Sequence, residues 1–165
     1  MNYVQIQITA EQRRNLITLA QYLLSGRLTA GFTMAEFSEN ELDFDKSTNC
    51  GSVGCAIGHG PYAGIAKKYN ESWSEYCFRC FGFLVVGTSA SGYTWMFDPD
   101  WRFYDDTPEG AGRRIVYFIT KGVPIDFCDN PFWGLAEESR ALYREIPSTW
   151  PEIVAAFPSL QPPSE

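Results

Sequence analysis

Val4-Gln5-Ile6-Gln7-Ile8-Thr9-Ala10-Glu11-Gln12-Arg13-Arg14-Asn15-Leu16-Ile17-Thr18-Leu19-Ala20-Gln21-Tyr22-Leu23-Leu24-Ser25-Gly26 is the stretch on which the fold class turns, because its apolar period changes partway along. Val4, Ile6 and Ile8 share one side of an extended chain, with Gln5 and Gln7 opposite, the alternation of a short half-buried strand. From Thr9 onward the spacing becomes helical. Leu16, Leu19, Ala20, Leu23 and Leu24 fall on one face, Thr9 and Gln12 form a capping-box pair, and Gly26 suits a left-handed stop. The pattern predicts a strand followed by a helix over 10–25.

The same reading extends along the chain. Phe32, Met34, Ala35 and Phe37 suit a short helix before an acidic polar connector from Ser38 to Asn49. Ser72 and Glu75 repeat the capping box, and Trp73, Cys77, Cys80 and Phe81 then share a helical face that carries two thiols. Phe83 to Val86 and Tyr93 to Phe97 flank a Gly/Ser-rich turn and pair in prospect as a hairpin. Thr107-Pro108-Glu109 opens a further helix that turns Ala111, Ile115, Phe118 and Ile119 inward and ends at Gly122, since proline at the first helical position forfeits no hydrogen bond. Asn130-Pro131 opens another, Thr149 with Glu152 caps a last short one, and the proline-rich residues 158–165 read as a flexible tail. The expectation is one α+β domain over residues 1–165, mainly helical, with a short N-terminal strand and a small hairpin.

Composition narrows the function classes. The 165 residues are 45% hydrophobic and 16% aromatic, which excludes a disordered chain, and no apolar run reaches the roughly 18 residues of a membrane span. Twenty acidic against thirteen basic residues give a net charge of −7, the opposite of the basic footprint that a phosphate backbone selects, so nucleic acid is not expected as a partner. The N-terminus shows no secretory pattern, which points to the cytoplasm. Five cysteines in that setting read as thiols, packing groups or metal ligands and not as a disulfide framework.

Chemistry concentrates in Asn49-Cys50-Gly51-Ser52-Val53-Gly54-Cys55-Ala56-Ile57-Gly58-His59-Gly60-Pro61, which holds two cysteines and the only histidine. Three readings fit it. As packing, its glycines and Ala56 allow close approach of a neighbour, and its cysteines act as small hydrophobes. As a catalytic pair, a helix capped by Ser52 places Cys55 in a first turn that favours thiolate, with His59 four residues on as base. As a metal site, Cys50, Cys55 and His59 join Cys77 and Cys80 around zinc, although those spacings are poor for a knuckle, and the default is no cofactor.

The sequence Cys50-Gly51-Ser52-x-x-Cys55-x-x-Gly58-His59, with Phe81-Gly82, Met96-Phe97, Thr107-Pro108-Glu109 and Arg113-Arg114-Ile115 downstream, resembles an uncharacterised family of small bacterial and phage proteins. That family carries a Cys-Gly-Thr/Ser-x-x-Cys-x-x-Gly-Trp/His motif. The resemblance covers roughly residues 10 to 122 and implies a mostly helical cytoplasmic protein, encoded on phage or other mobile DNA, with no activity attached. Where the family has Trp in place of His59, a mechanism that needs an imidazole is weakened.

A second cluster lies between Tyr93 and Arg114. Trp95, Phe97, Trp101, Phe103 and Tyr104 alternate with Asp98, Asp100, Asp105 and Asp106, which suits either a stacking surface or a core flanked by exposed turns. Arg113 and Arg114 stand early in their helix, where the dipole disfavours cations, so they either pair with Asp105 or Asp106 or grip an anion. Trp95, Trp101, Asp105, Arg113 and Arg114 are therefore the candidate ligand-binding residues. The expected function is non-catalytic binding of a small anionic or aromatic ligand or of a protein partner, with a cysteine-dependent hydrolase or transferase using Cys55 and His59 as the alternative.

Overall fold

Local hydrogen bonding sets the helix starts where the sequence places them. The computed structural model describes residues 3–4, 7–28, 31–34, 55–82, 95–97, 99–124 and 144–161. Helix α1 spans Ala10–Leu23, and Thr9 and Gln12 close both halves of its capping box, at 3.1 Å from Gln12 N to Thr9 Oγ1 and 2.9 Å from Thr9 N to Gln12 Oε1. Helix α2 spans Trp73–Phe81, with Ser72 and Glu75 doing the same and Gly82 ending it at φ 86°, a left-handed conformation that glycine adopts without penalty. Helix α3 spans Pro108–Lys121, and the Gly110 N–H donates to Thr107 Oγ1 at 3.0 Å. Helix α4 spans Trp150–Ala156; there the Thr149 hydroxyl donates to Glu152 at 2.8 Å and accepts nothing from the backbone.

The α+β expectation is corrected: the described chain is mainly helical. Besides an isolated bridge at Phe32, its strand pairing is two rungs, β1 (Tyr3–Val4) antiparallel to β2 (Val123–Pro124), with Tyr3 opposite Pro124 and Val4 opposite Val123. Such a ladder is shorter than an ordinary strand and forms no layer of the fold. Of the strand predicted over Val4 to Ile8, Val4 is extended, residues 5–6 lie outside the described residues, and residues 7–9 are irregular. Of the predicted hairpin, residues 83–94 lie outside the described chain, and Trp95–Phe97 is a 3-10 turn instead of a strand.

Helix α1 packs on both α3 and α2, and α3 also packs on the turn Trp95–Phe97. Each helix delivers its expected stripe to a shared core: Leu16, Leu19 and Leu23 from α1, Cys77, Cys80 and Phe81 from α2. Helix α3 goes further, being buried continuously from Gly110 to Phe118, which is the pattern of a helix surrounded by neighbours. Its crossing with α1 depends on Gly112, where a Cβ would lie 2.7 Å from Leu24 Cγ and 3.2 Å from the Ala20 carbonyl.

The expected flexible tail is docked over its first part. Pro158–Leu160 forms a 3-10 turn, Leu160 is buried, and Arg13 donates to the Ser159 carbonyl at 3.2 Å. The helix predicted from Asn130 falls outside the described residues apart from helical residues 144–145, as do the short helix around Ala35 and Phe37 and the connector from Ser38. No helix among the described residues is long and apolar enough to cross a membrane.

Candidate functional site

Four of the five candidate ligand-binding residues meet at the N-terminal end of α3. Two 3-10 turns, Trp95–Phe97 and Pro99–Phe103, bring Trp95 and Trp101 edge to face, with ring centroids 5.7 Å apart and planes at 82°. The Trp101 indole N–H donates to the Trp95 carbonyl. Both rings are interior, at 0% and 1% exposure. The Arg114 guanidinium lies over the Trp101 ring, 4.4 Å from its centroid, close enough for a cation–π contact.

Arg114 is itself 1% exposed. Its Nε donates to the Met96 carbonyl at 3.2 Å and its Nη1 to the Asp105 carbonyl at 3.3 Å, while the nearest carboxylate oxygen, Asp105 Oδ2, stands 4.0 Å away. Burial pushes its pKa down to about 9, and the charges of Asp105 and Asp106 offset part of that shift. Arg114 therefore stays cationic at neutral pH. Asp105 turns its other oxygen to Thr107, accepting from the backbone N–H at 3.1 Å and from the hydroxyl. The anion that the helix dipole favours at this end of α3 is thus supplied by the chain itself.

Arg113 goes elsewhere. It donates through Nε and Nη2 to the Ile146 carbonyl, the former at 2.9 Å, and pairs with Glu109 at 3.3 Å, fastening the segment before α4 to α3. Asp106 also leaves the cluster, accepting from Thr33 Oγ1 at 2.9 Å and from the Met34 N–H. What the cluster presents to solvent is the end of the second turn: Phe103 is 69% exposed and Tyr104 45%. The turn beneath them is held by Tyr104 N and Asp105 N, which both donate to the Trp101 carbonyl, at 2.9 and 2.7 Å. Arg102 covers one face of the Phe103 ring at 4.5 Å.

The Cys/His motif is built differently from its expected helix. Cys55 precedes a 3-10 turn over Ile57–His59, and the His59 N–H donates to the Cys55 carbonyl at 3.2 Å, so the two residues sit across one turn. His59 is 1% exposed, stacked on Phe32 at 5.7 Å and flanked by Tyr22 at 6.1 Å and Tyr62 at 5.8 Å. Its Nε2 lies 3.1 Å from the Gly31 carbonyl. Gly60 is required next to it, because a Cβ there would fall 2.1 Å from the Tyr76 hydroxyl, which donates to the Ile65 carbonyl at 2.7 Å.

The thiols differ in access. Cys77 and Cys80 are buried and burial pushes both thiols up, whereas Cys55 is half-buried. Cys50 lies outside the described residues, and among those described no three His, Cys, Asp or Glu side chains are gathered as a metal would require. Sequence reasoning missed Phe103 and Tyr104 as the exposed members of the aromatic run. Their only signal was position, directly before the acidic pair Asp105-Asp106 that ends the turn.

Compared with known proteins, the chain matches no family model, no curated protein and no solved structure.

Proposed function

We propose that this protein is a non-catalytic binding protein that engages a protein partner through the turn carrying Phe103 and Tyr104. The observation that carries the reading is a phenylalanine 69% exposed on a turn whose adjoining tryptophan is buried. Leaving such a ring in water forgoes about 2 kcal/mol of burial energy, and large aromatics presented on a fixed backbone are the anchors that protein interfaces favour. A small planar ligand is less favoured, because the rings best suited to stack it, Trp95 and Trp101, are engaged in the interior. The net charge of −7 and five cysteines that read as thiols and not as a disulfide framework support a cytoplasmic setting without nucleic acid. A phage or bacterial origin belongs to the same proposal, supported by the resemblance of the cysteine motif.

The test is affinity capture from the source cell with the wild-type chain and with Phe103→Ala/Tyr104→Ala as paired baits. A partner held by the first and lost by the second is the expected result. Identical capture by both baits would remove the turn from the function.

A second reading rests on Cys55, the accessible thiol among the described cysteines, as the nucleophile of a hydrolase or transferase with His59 as base. It predicts stoichiometric modification of Cys55 by an acylating probe and none in Cys55→Ser. It ranks lower because the His59 ring is enclosed by Tyr22, Phe32 and Tyr62.

A further inference from the structure

We propose that residues 31–34 form a strap coupling the turn of Cys55 and His59 to the base of the turn that carries Phe103 and Tyr104, so that releasing either end loosens the other. At one end, His59 Nε2 lies 3.1 Å from the Gly31 carbonyl, and the imidazole stacks on Phe32 at 5.7 Å. A carbonyl only accepts, so Nε2 carries the proton in this bond. At the other end, Asp106 accepts from the Thr33 hydroxyl, at 2.9 Å through Oδ2 and 3.2 Å through Oδ1, and from the Met34 N–H. Two side chains far apart in sequence thus hold four consecutive residues between them.

The strap has little slack. Four residues reach at most about 14 Å, and each brings only two soft backbone dihedrals. Phe32 packs against the core, Met34 is buried in it, and the β-branched Thr33 is stiff at χ1. A displacement at Gly31 or Phe32 is therefore passed to Thr33 and Met34. Each clamp is also tied to the turn behind it. The His59 N–H donates to the Cys55 and Ala56 carbonyls at 3.2 and 3.3 Å, and Asp106 follows Asp105, whose N–H shares the Trp101 carbonyl with the Tyr104 N–H. The two states are the clamped strap and a locally opened one, the kind of segmental opening that amide exchange reads. Because His59 and Asp106 both favour the clamped state, each strengthens the other's hold on it, and the effect is reciprocal. Where the exposed turn takes a partner, docking there is felt at Cys55; the coupling itself needs no partner, and neither does its test.

The test is amide hydrogen exchange, followed by NMR on the full chain, in the wild type, Asp106→Ala, Asp106→Asn and His59→Phe. Asp106→Ala alters an exposed side chain and should speed exchange of the His59 N–H by about threefold or more, although that amide is bonded to Cys55 and Ala56 and not to Asp106. Asp106→Asn keeps an acceptor oxygen without the charge and should stay near the wild-type rate. His59→Phe keeps a ring beside Phe32, removes the bond to Gly31, and should speed the Met34 N–H by a similar factor. The Phe157 N–H, bonded to the Ile153 carbonyl, is the reference and should not change. Exchange altered only at the substituted end would overturn the proposal. An equal rise at Phe157, which marks general destabilisation, would overturn it too, as would an Asn variant that behaves like the Ala one. If His59→Phe does not fold, the two Asp106 variants decide the matter.

Discussion

Arg114 holds a positive charge at 1% exposure with the Asp105 carboxylate 4.0 Å away, so the two residues of that pair are unequal in what their loss does. Asp105→Ala strands a buried cation and should destabilise the fold by about 3–5 kcal/mol in urea unfolding at neutral pH, whereas Asp105→Ala/Arg114→Met together should lose distinctly less. A larger loss in the double variant would mean the pair is not the electrostatic unit described. Thiol chemistry divides in the same way by burial: Cys55 should label under native conditions, while Cys77 and Cys80 should wait for unfolding. Mass mapping of the labelled peptides reads this directly. The anomaly of Arg113 and Arg114 was legible in the sequence, since cations early in a helix call for a reason. Their burial was not, because it depends on what surrounds α3 on all sides, which no periodicity within α3 records.

Between elements, single side chains fix whole segments. Glu71 receives Arg79 through two contacts, at 2.6 and 2.7 Å, and accepts the Lys68 N–H at 2.8 Å, tying the loop before α2 onto that helix. The Arg79 hydrogen bonds hold the Glu71 carboxyl at about 2, well below its usual 4.5. Because the folded value is the lower one, the contribution is complete above about pH 4.5 and fades as pH falls toward 2. Arg79 is 31% exposed, so the pair is worth about 1 kcal/mol, which Glu71→Gln should remove at pH 7 together with part of the acid sensitivity below pH 4.5. Gly112→Ala tests the crossing of α1 and α3: overpacking of about 1–3 kcal/mol against Leu24 and Ala20 should outweigh the helix propensity of about 1 kcal/mol that alanine adds. Helix starts were legible because a capping box spans only three residues. The helix expected around Cys55 was not realised at Cys55 and Ala56, and Gly58 and Gly60 weaken a helix there by about 1 kcal/mol each. The pairing of Val4 with Val123 reaches across α3, which alternation near the N-terminus cannot specify.

For the molecule as a whole, a built interior is separate from the exposed turn proposed as the binding surface. Trp95, Trp101 and Arg114 join two turns to α3 inside, while Phe103 and Tyr104 stand outside. Composition showed that this aromatic run contains both kinds of ring without sorting them, since neighbouring residues of a 3-10 turn point in different directions. The most direct measurement of that separation is the urea unfolding free energy of Trp101→Ala set against Phe103→Ala. A loss of about 3–5 kcal/mol is expected for the buried ring and a change within about 0.5 kcal/mol for the exposed one. Equal losses at the two positions would show that Phe103 belongs to the core and would contradict the assignment of this turn as a recognition surface.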